Sequence, residues 1–151
     1  MKKTLLLSTC FLLLIALCSC RNHADTSKYF EEGSLLFDMG ANSIEDVESC
    51  TIIDDGAVPE IIIGEDDFDL FAKYRYKSDY PSDKLHELMV FPTNKPINIS
   101  IAGKKFILYL MEDGNICVRI SEGGSFKLYQ ADKNNQITPE KYDELVNKYS
   151  K

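Results

Sequence analysis

The sequence predicts an α+β domain. Its expected form is an antiparallel β-meander carrying a C-terminal amphipathic helix, with further strands or a short helix from the N-terminal half on the other face. Three observations carry that expectation. Ile97, Ile99 and Ile101 alternate with Asn98 and Ser100, the period of a half-buried strand. Asp113-Gly114 stands between two apolar runs and is a strong short hairpin signal. Tyr142, Leu145, Val146 and Tyr149 recur at i, i+3, i+4 and i+7, which draws one apolar stripe along a helix.

In chain order, Ser43 is placed to start a short helix with Ile44 and Val47 inward. Thr51–Asp54 and Glu60–Ile63 read as short strands around the turn Asp54-Asp55-Gly56. Phe68, Leu70, Ala72, Tyr74 and Tyr76 keep period two, with Asp69, Lys73, Arg75 and Lys77 between them and Phe71 breaking the pattern. Ser82 to Met89 reads as a further short helix. After the isoleucine strand, Ala102-Gly103 turns the chain into Lys105–Met111. A two-residue type I′ loop at Asp113-Gly114 sets Met111 opposite Ile116, Tyr109 opposite Val118 and Ile107 opposite Ile120, leaving Phe106, Leu108, Leu110 and Cys117 for the other face. Glu122-Gly123-Gly124 leads into a fourth strand, Phe126–Gln130. Thr138-Pro139 supplies an N-cap followed by proline at the first helical position.

The leader is a separate matter. Met1, Lys2 and Lys3 precede an apolar stretch from Leu5 to Leu17 interrupted only by Ser8 and Thr9, the layout of a secretory signal. Counted from Thr4 to Cys20 it reaches the lower limit for a membrane span. Leu17-Cys18-Ser19-Cys20 resembles the lipobox of bacterial lipoproteins, departing only at Cys18, where Ala, Ser or Thr is commoner. The resemblance covers residues 1–20. It implies a signal peptide over residues 1–19, lipidation of Cys20, a tether over 20–28 and one globular domain over 29–151. Acyl chains on Cys20 would then supply the membrane contact, at about 0.8 kcal/mol per buried methylene. Arg21 rather than Asp after the cysteine implies, by the same resemblance, the outer membrane facing the periplasm.

In that oxidising compartment Cys50 and Cys117 form an even pair, so a disulfide is expected. It would close a loop of about 70 residues and stabilise by roughly 4 kcal/mol.

Catalytic signatures are missing from the sequence: no G-x-S-x-G, phosphate loop, G-x-G-x-x-G or H-E-x-x-H occurs. Past the leader only His23 and His86 remain, too few for a histidine zinc site. Asp66-Asp67-Phe68-Asp69 lacks the alternate ligands and the glycine of an EF-hand loop. No enzyme activity, metal or cofactor is therefore expected. Carboxylates are too abundant for any pair to stand out as a glycosidase signal.

Charge is the distribution that stands out. Residues 25–69 hold 14 acidic side chains against one basic, Lys28. Residues 70–151 hold 10 acidic and 13 basic. Nucleic acid is a poor partner for such a chain; a basic envelope protein or toxin is a better one, because an acidic face steers association. That face would centre on Asp54, Asp55, Glu65, Asp66, Asp67 and Asp69. The expectation is a lipid-anchored envelope protein that binds another macromolecule, as an inhibitor or immunity-type protein or as an accessory subunit of an envelope complex. The alternative is a small-ligand binder using a sheet face lined by Ile99, Phe106, Leu108 and Leu110.

Overall fold

The computed structural model describes residues 27–52, 60–81 and 95–150. The leader with its lipobox-like run, the turn at Asp54-Asp55-Gly56 and the helix expected over Ser82–Met89 lie outside the described residues.

Seven strands are present: β1 (Val47–Ile52), β2 (Ile61–Ile62), β3 (Arg75–Tyr80), β4 (Ile97–Ile101), β5 (Lys104–Leu110), β6 (Ile116–Arg119) and β7 (Phe126–Gln130). They pair antiparallel in one sheet ordered β2-β1-β4-β5-β6-β7-β3. The expected meander is the run from β4 to β7. Strands from the first half extend this sheet at its two ends. At one end Thr51 pairs with Ile62 and Cys50 with Ile99; at the other Tyr76 pairs with Tyr129.

The β4 isoleucines are all fully buried, as their alternation requires. Ala102 and Gly103 join β4 to β5 with φ of +50° and +72°. Positive φ at both central residues is the type I′ requirement. The Glu48 carboxylate braces this turn, accepting from the Gly103 N–H and the Ser100 hydroxyl at 2.9 Å each.

The β5–β6 hairpin corrects the expected register. Leu110 faces Ile116, Tyr109 faces Cys117 and Leu108 faces Val118. The loop has three residues, Glu112-Asp113-Gly114, closed by Met111 N–H to Asn115 O at 2.8 Å and Gly114 N–H to Met111 O at 2.9 Å. Gly114 takes φ +79°, the left-handed position that ends such a loop. Asp113 accepts from the Asn115 N–H at 3.1 Å, favouring the longer loop. A slip of one residue moves a strand's side chains to the opposite face. Leu108 and Leu110 thereby join Ile116 and Val118 in the main core, while Ile107 is left 42 % exposed.

Three short helices lie on that core face: α1 (Leu35–Asp38), α2 (Asp69–Ala72) and α3 (Pro139–Tyr149). Leu35, Leu36, Phe71, Ala72 and Tyr142 share one buried cluster with the sheet residues. The N-terminal helical turns and the C-terminal helix therefore share a face. The other face carries a smaller cluster of Cys117 and Phe126 with Tyr80, Tyr109, Met111 and Leu128 packed around it.

Residues 63–74 connect β2 to β3, the two ends of the sheet, and so must cross this face. A strand was expected over Phe68–Tyr76; instead a 3-10 turn (Glu65–Asp67) and α2 come first, and β3 starts at Arg75. Buried Phe68, Phe71 and Ala72 fall at i, i+3 and i+4, so the residue that broke the strand period is the one that completes the helical face. Ser43 does start a short helical turn, Ile44–Asp46, closed by a reciprocal capping box between Ser43 and Asp46. At α3, Thr138 accepts from the Lys141 N–H at 3.3 Å and Pro139 occupies the first turn, as the sequence signals.

Candidate functional site

Among the acidic residues singled out from sequence, Asp54 and Asp55 lie outside the described residues. Gly64 ends the approach from β2, and the 3-10 turn that follows presents Glu65 and Asp66 to solvent. Asp67 points back into the molecule. It accepts from Lys148 Nζ at 2.7 Å and from the Tyr149 hydroxyl at 2.9 Å, fastening the crossover to the end of α3. Partial burial works to raise its carboxyl pKa; those two hydrogen bonds and the Lys148 charge outweigh it and hold the group below its ordinary value. Asp69 pairs with Lys73 one helical turn later at 3.2 Å. The expected face thus divides: Glu65 and Asp66 are free to meet a partner, whereas Asp67 and Asp69 are engaged within the domain. Among the described residues no three His, Cys, Asp or Glu side chains converge as a cation site.

Cys50 and Cys117 correct another expectation. Both are free thiols, fully buried. Cys50 lies in the main core beside Ile99, and Cys117 in the smaller cluster on the opposite face. Strands β4 and β5 separate them in the sheet. Three strand spacings amount to about 14 Å, beyond the Cα separation a disulfide tolerates. Burial pushes the Cys117 thiol up to about 12 and Cys50 further, so neither offers a thiolate for chemistry.

The residues named for an apolar ligand face are core. Ile99 and Leu108 are fully buried and Leu110 and Phe106 nearly so, filled over by the helices and by one another.

Two open grooves occur among the described residues, and of those four side chains Phe106 alone belongs to a groove lining. One, of 840 Å³, lies on the second face of the sheet beside Ile107, Tyr109, Phe126 and Arg119. Arg119 stacks on the Phe126 ring at 4.8 Å from its centre. The other, of 630 Å³, lies at the β3 end of the sheet and is lined by Lys28, Lys73, Arg75, Lys77 and Lys133, with Asp132 the acidic member of its wall. Arg75 is held by backbone: its guanidinium donates to the carbonyls of Ala72 (3.0 Å), Tyr74 (3.2 Å) and Lys28, and rests over the Tyr29 ring at 5.6 Å. This leaves its charge without a carboxylate among the described residues. The sequence reading missed this concentration because its members come from three separate segments; the alternation of Lys73, Arg75 and Lys77 was the visible signal.

Two buried tyrosines serve as struts. Desolvation, the bond to Asp38 and that carboxylate's charge raise the Tyr129 phenol, which donates to Asp38 Oδ2 at 2.7 Å and keeps its proton. Tyr74 is pushed up to about 12 by burial and spans two loops, donating to Gly114 O at 3.0 Å and accepting from the Ile137 N–H at 2.7 Å.

No family model matches the chain, and no curated protein or solved structure matches it. Among the described residues no helix is long and apolar enough to cross a membrane.

Proposed function

We propose that this chain is a lipid-anchored protein of the bacterial cell envelope whose domain binds another macromolecule and performs no chemistry of its own. The observation that carries the anchoring is Leu17-Cys18-Ser19-Cys20, set behind a basic start and an apolar stretch. Its resemblance to a lipobox assigns Cys20 as the lipid-bearing residue and favours the outer membrane facing the periplasm. The acidic first half supports the binding role, with exposed Glu65 and Asp66 as its described centre and Asp54 and Asp55 as further members by sequence. A basic envelope protein or toxin is the partner whose charge complements it, which makes an inhibitor or immunity-type protein the sharper form of the reading.

Palmitate labelling of wild type and Cys20→Ala in the producing bacterium tests the anchor; labelling confined to wild type is expected, and equal labelling overturns it. For the partner, Glu65→Gln/Asp66→Asn is the informative variant, because it leaves the Asp67 contact to α3 intact. Co-purification of a basic protein at low salt should weaken in that variant, and unchanged capture would remove the acidic face from the proposal.

A further inference from the structure

The 630 Å³ groove opposes the sign of the chain that carries it. Past Cys20 the sequence is strongly acidic, yet five cations and one carboxylate line this groove. Lys73 is offset by Asp69. Lys28, Arg75, Lys77 and Lys133 form no ion pair with a described carboxylate. Glu31 and Glu32 leave the turn that carries Lys28 without lining the groove. At ordinary ionic strength the Debye length is about 10 Å. A charged surface touching the groove therefore responds to these cations rather than to the net charge of the whole molecule.

Position supplies the second observation. One wall is the 3-10 turn Ser27–Phe30, the first described element of the domain. Lys28 is eight residues from Cys20, so covalent geometry alone keeps it within about 28 Å of the lipidated residue, whatever the intervening chain does. The groove is thus confined to the neighbourhood of the bilayer surface.

We propose that this groove docks on the anionic phospholipid headgroups of the membrane in which Cys20 is anchored, setting the orientation of the domain on that surface. The proposal rests on the anchoring reading above for where the membrane is. The ligand is the headgroup phosphate. Lys77 and Lys133, exposed at the rim, are the principal contacts, and Arg75 is a fixed charge held at the wall by three carbonyls.

The test uses residues 20–151 with Cys20→Ser, so that acyl chains do not mask the headgroup contribution. Sedimentation is compared for vesicles of phosphatidylcholine alone and of equimolar phosphatidylglycerol and phosphatidylcholine. Binding to the anionic vesicles only is expected. Lys77→Gln/Lys133→Gln should weaken it about 25-fold, from roughly fivefold per cation near an anionic surface. Lys104→Gln/Lys105→Gln removes the same charge elsewhere and should leave binding unchanged, with circular dichroism showing both variants folded. Equal binding to neutral vesicles, or equal weakening by the two pairs, overturns the proposal. Loss of vesicle binding to dissolved glycerol phosphate at matched phosphate also overturns it, in favour of a free-phosphate site. No binding to either vesicle leaves the lysines as protection of an edge strand and likewise sinks it. Palmitate labelling reads the anchor separately: labelled wild type with indifferent vesicles removes the groove proposal alone, and unlabelled wild type with anionic binding removes the anchor alone.

Discussion

Ala102 adopts φ +50° at an exposed turn position where an L-residue pays roughly 1 kcal/mol against its Cβ. Asparagine tolerates that region and would create the Asn-Gly pair favoured in type I′ turns. Ala102→Asn should therefore raise stability by about 0.5 kcal/mol, read as a higher denaturant midpoint at unchanged slope. Asp67 shows the opposite case, a carboxylate that reads as surface charge in sequence and acts as a fastener in the fold. Its lowered pKa means that the contact stabilises fully above the ordinary Asp range and is lost as pH falls through the lower folded value. Asp67→Asn should cost about 1 kcal/mol at neutral pH, and the gap to wild type should narrow below about pH 4. A gap independent of pH would mean that packing, not ionisation, holds α3 in place. The turn at Ala102 was legible in the sequence, but the role of Asp67 was not, because a partner 81 positions away is not a local property.

Elements were legible where one periodicity dominated. The β4 isoleucines, the strand Phe126–Gln130 and the capped stripe of α3 all fall where alternation or helical spacing puts them. Two elements were misread for definite reasons. Residues 68–72 fit period two apart from Phe71, and the i, i+3, i+4 spacing with it, and burial of Phe71 across the sheet face decides for the helix, the strand starting only at Arg75. The Asp113-Gly114 signal identified the hairpin but not its loop length, and that length sets which face every β5 and β6 side chain takes. Tyr74 helps hold the longer loop, since its hydroxyl links Gly114 in that loop to Ile137 ahead of α3. Tyr74→Phe leaves a buried carbonyl and a buried N–H unmet, so a loss of about 1–3 kcal/mol is expected. Hydrogen exchange should quicken at the Ile137 amide. An unchanged midpoint would show that the bridge is dispensable.

Across the whole molecule, the sheet and its helical cover do without a covalent staple. With Cys50 and Cys117 on opposite faces, a reductant should leave the unfolding midpoint of the domain unmoved. A thiol reagent should label neither residue in the native state and both after denaturation; a midpoint that falls on reduction would restore the disulfide. The distribution of charge, too, has a meaning only at this scale. The acidic first half is plain in the sequence, but folding directs Asp67 and Asp69 to lysines and leaves Glu65 and Asp66 outward. The same folding gathers Lys28, Lys73, Arg75, Lys77 and Lys133 into one groove from segments separated by as much as a hundred residues.

By itself, the sequence determined the α+β class, the meander, the capped C-terminal helix and the lopsided charge, because each is a sum of local preferences along a short stretch. The tertiary structure alone decided the hairpin register, the separation of the two cysteines, the engagement of Asp67 and Asp69 within the domain and the existence of the basic groove. Each of these depends on which distant segments share a face, and that is set by burial across the sheet rather than by neighbours in the chain.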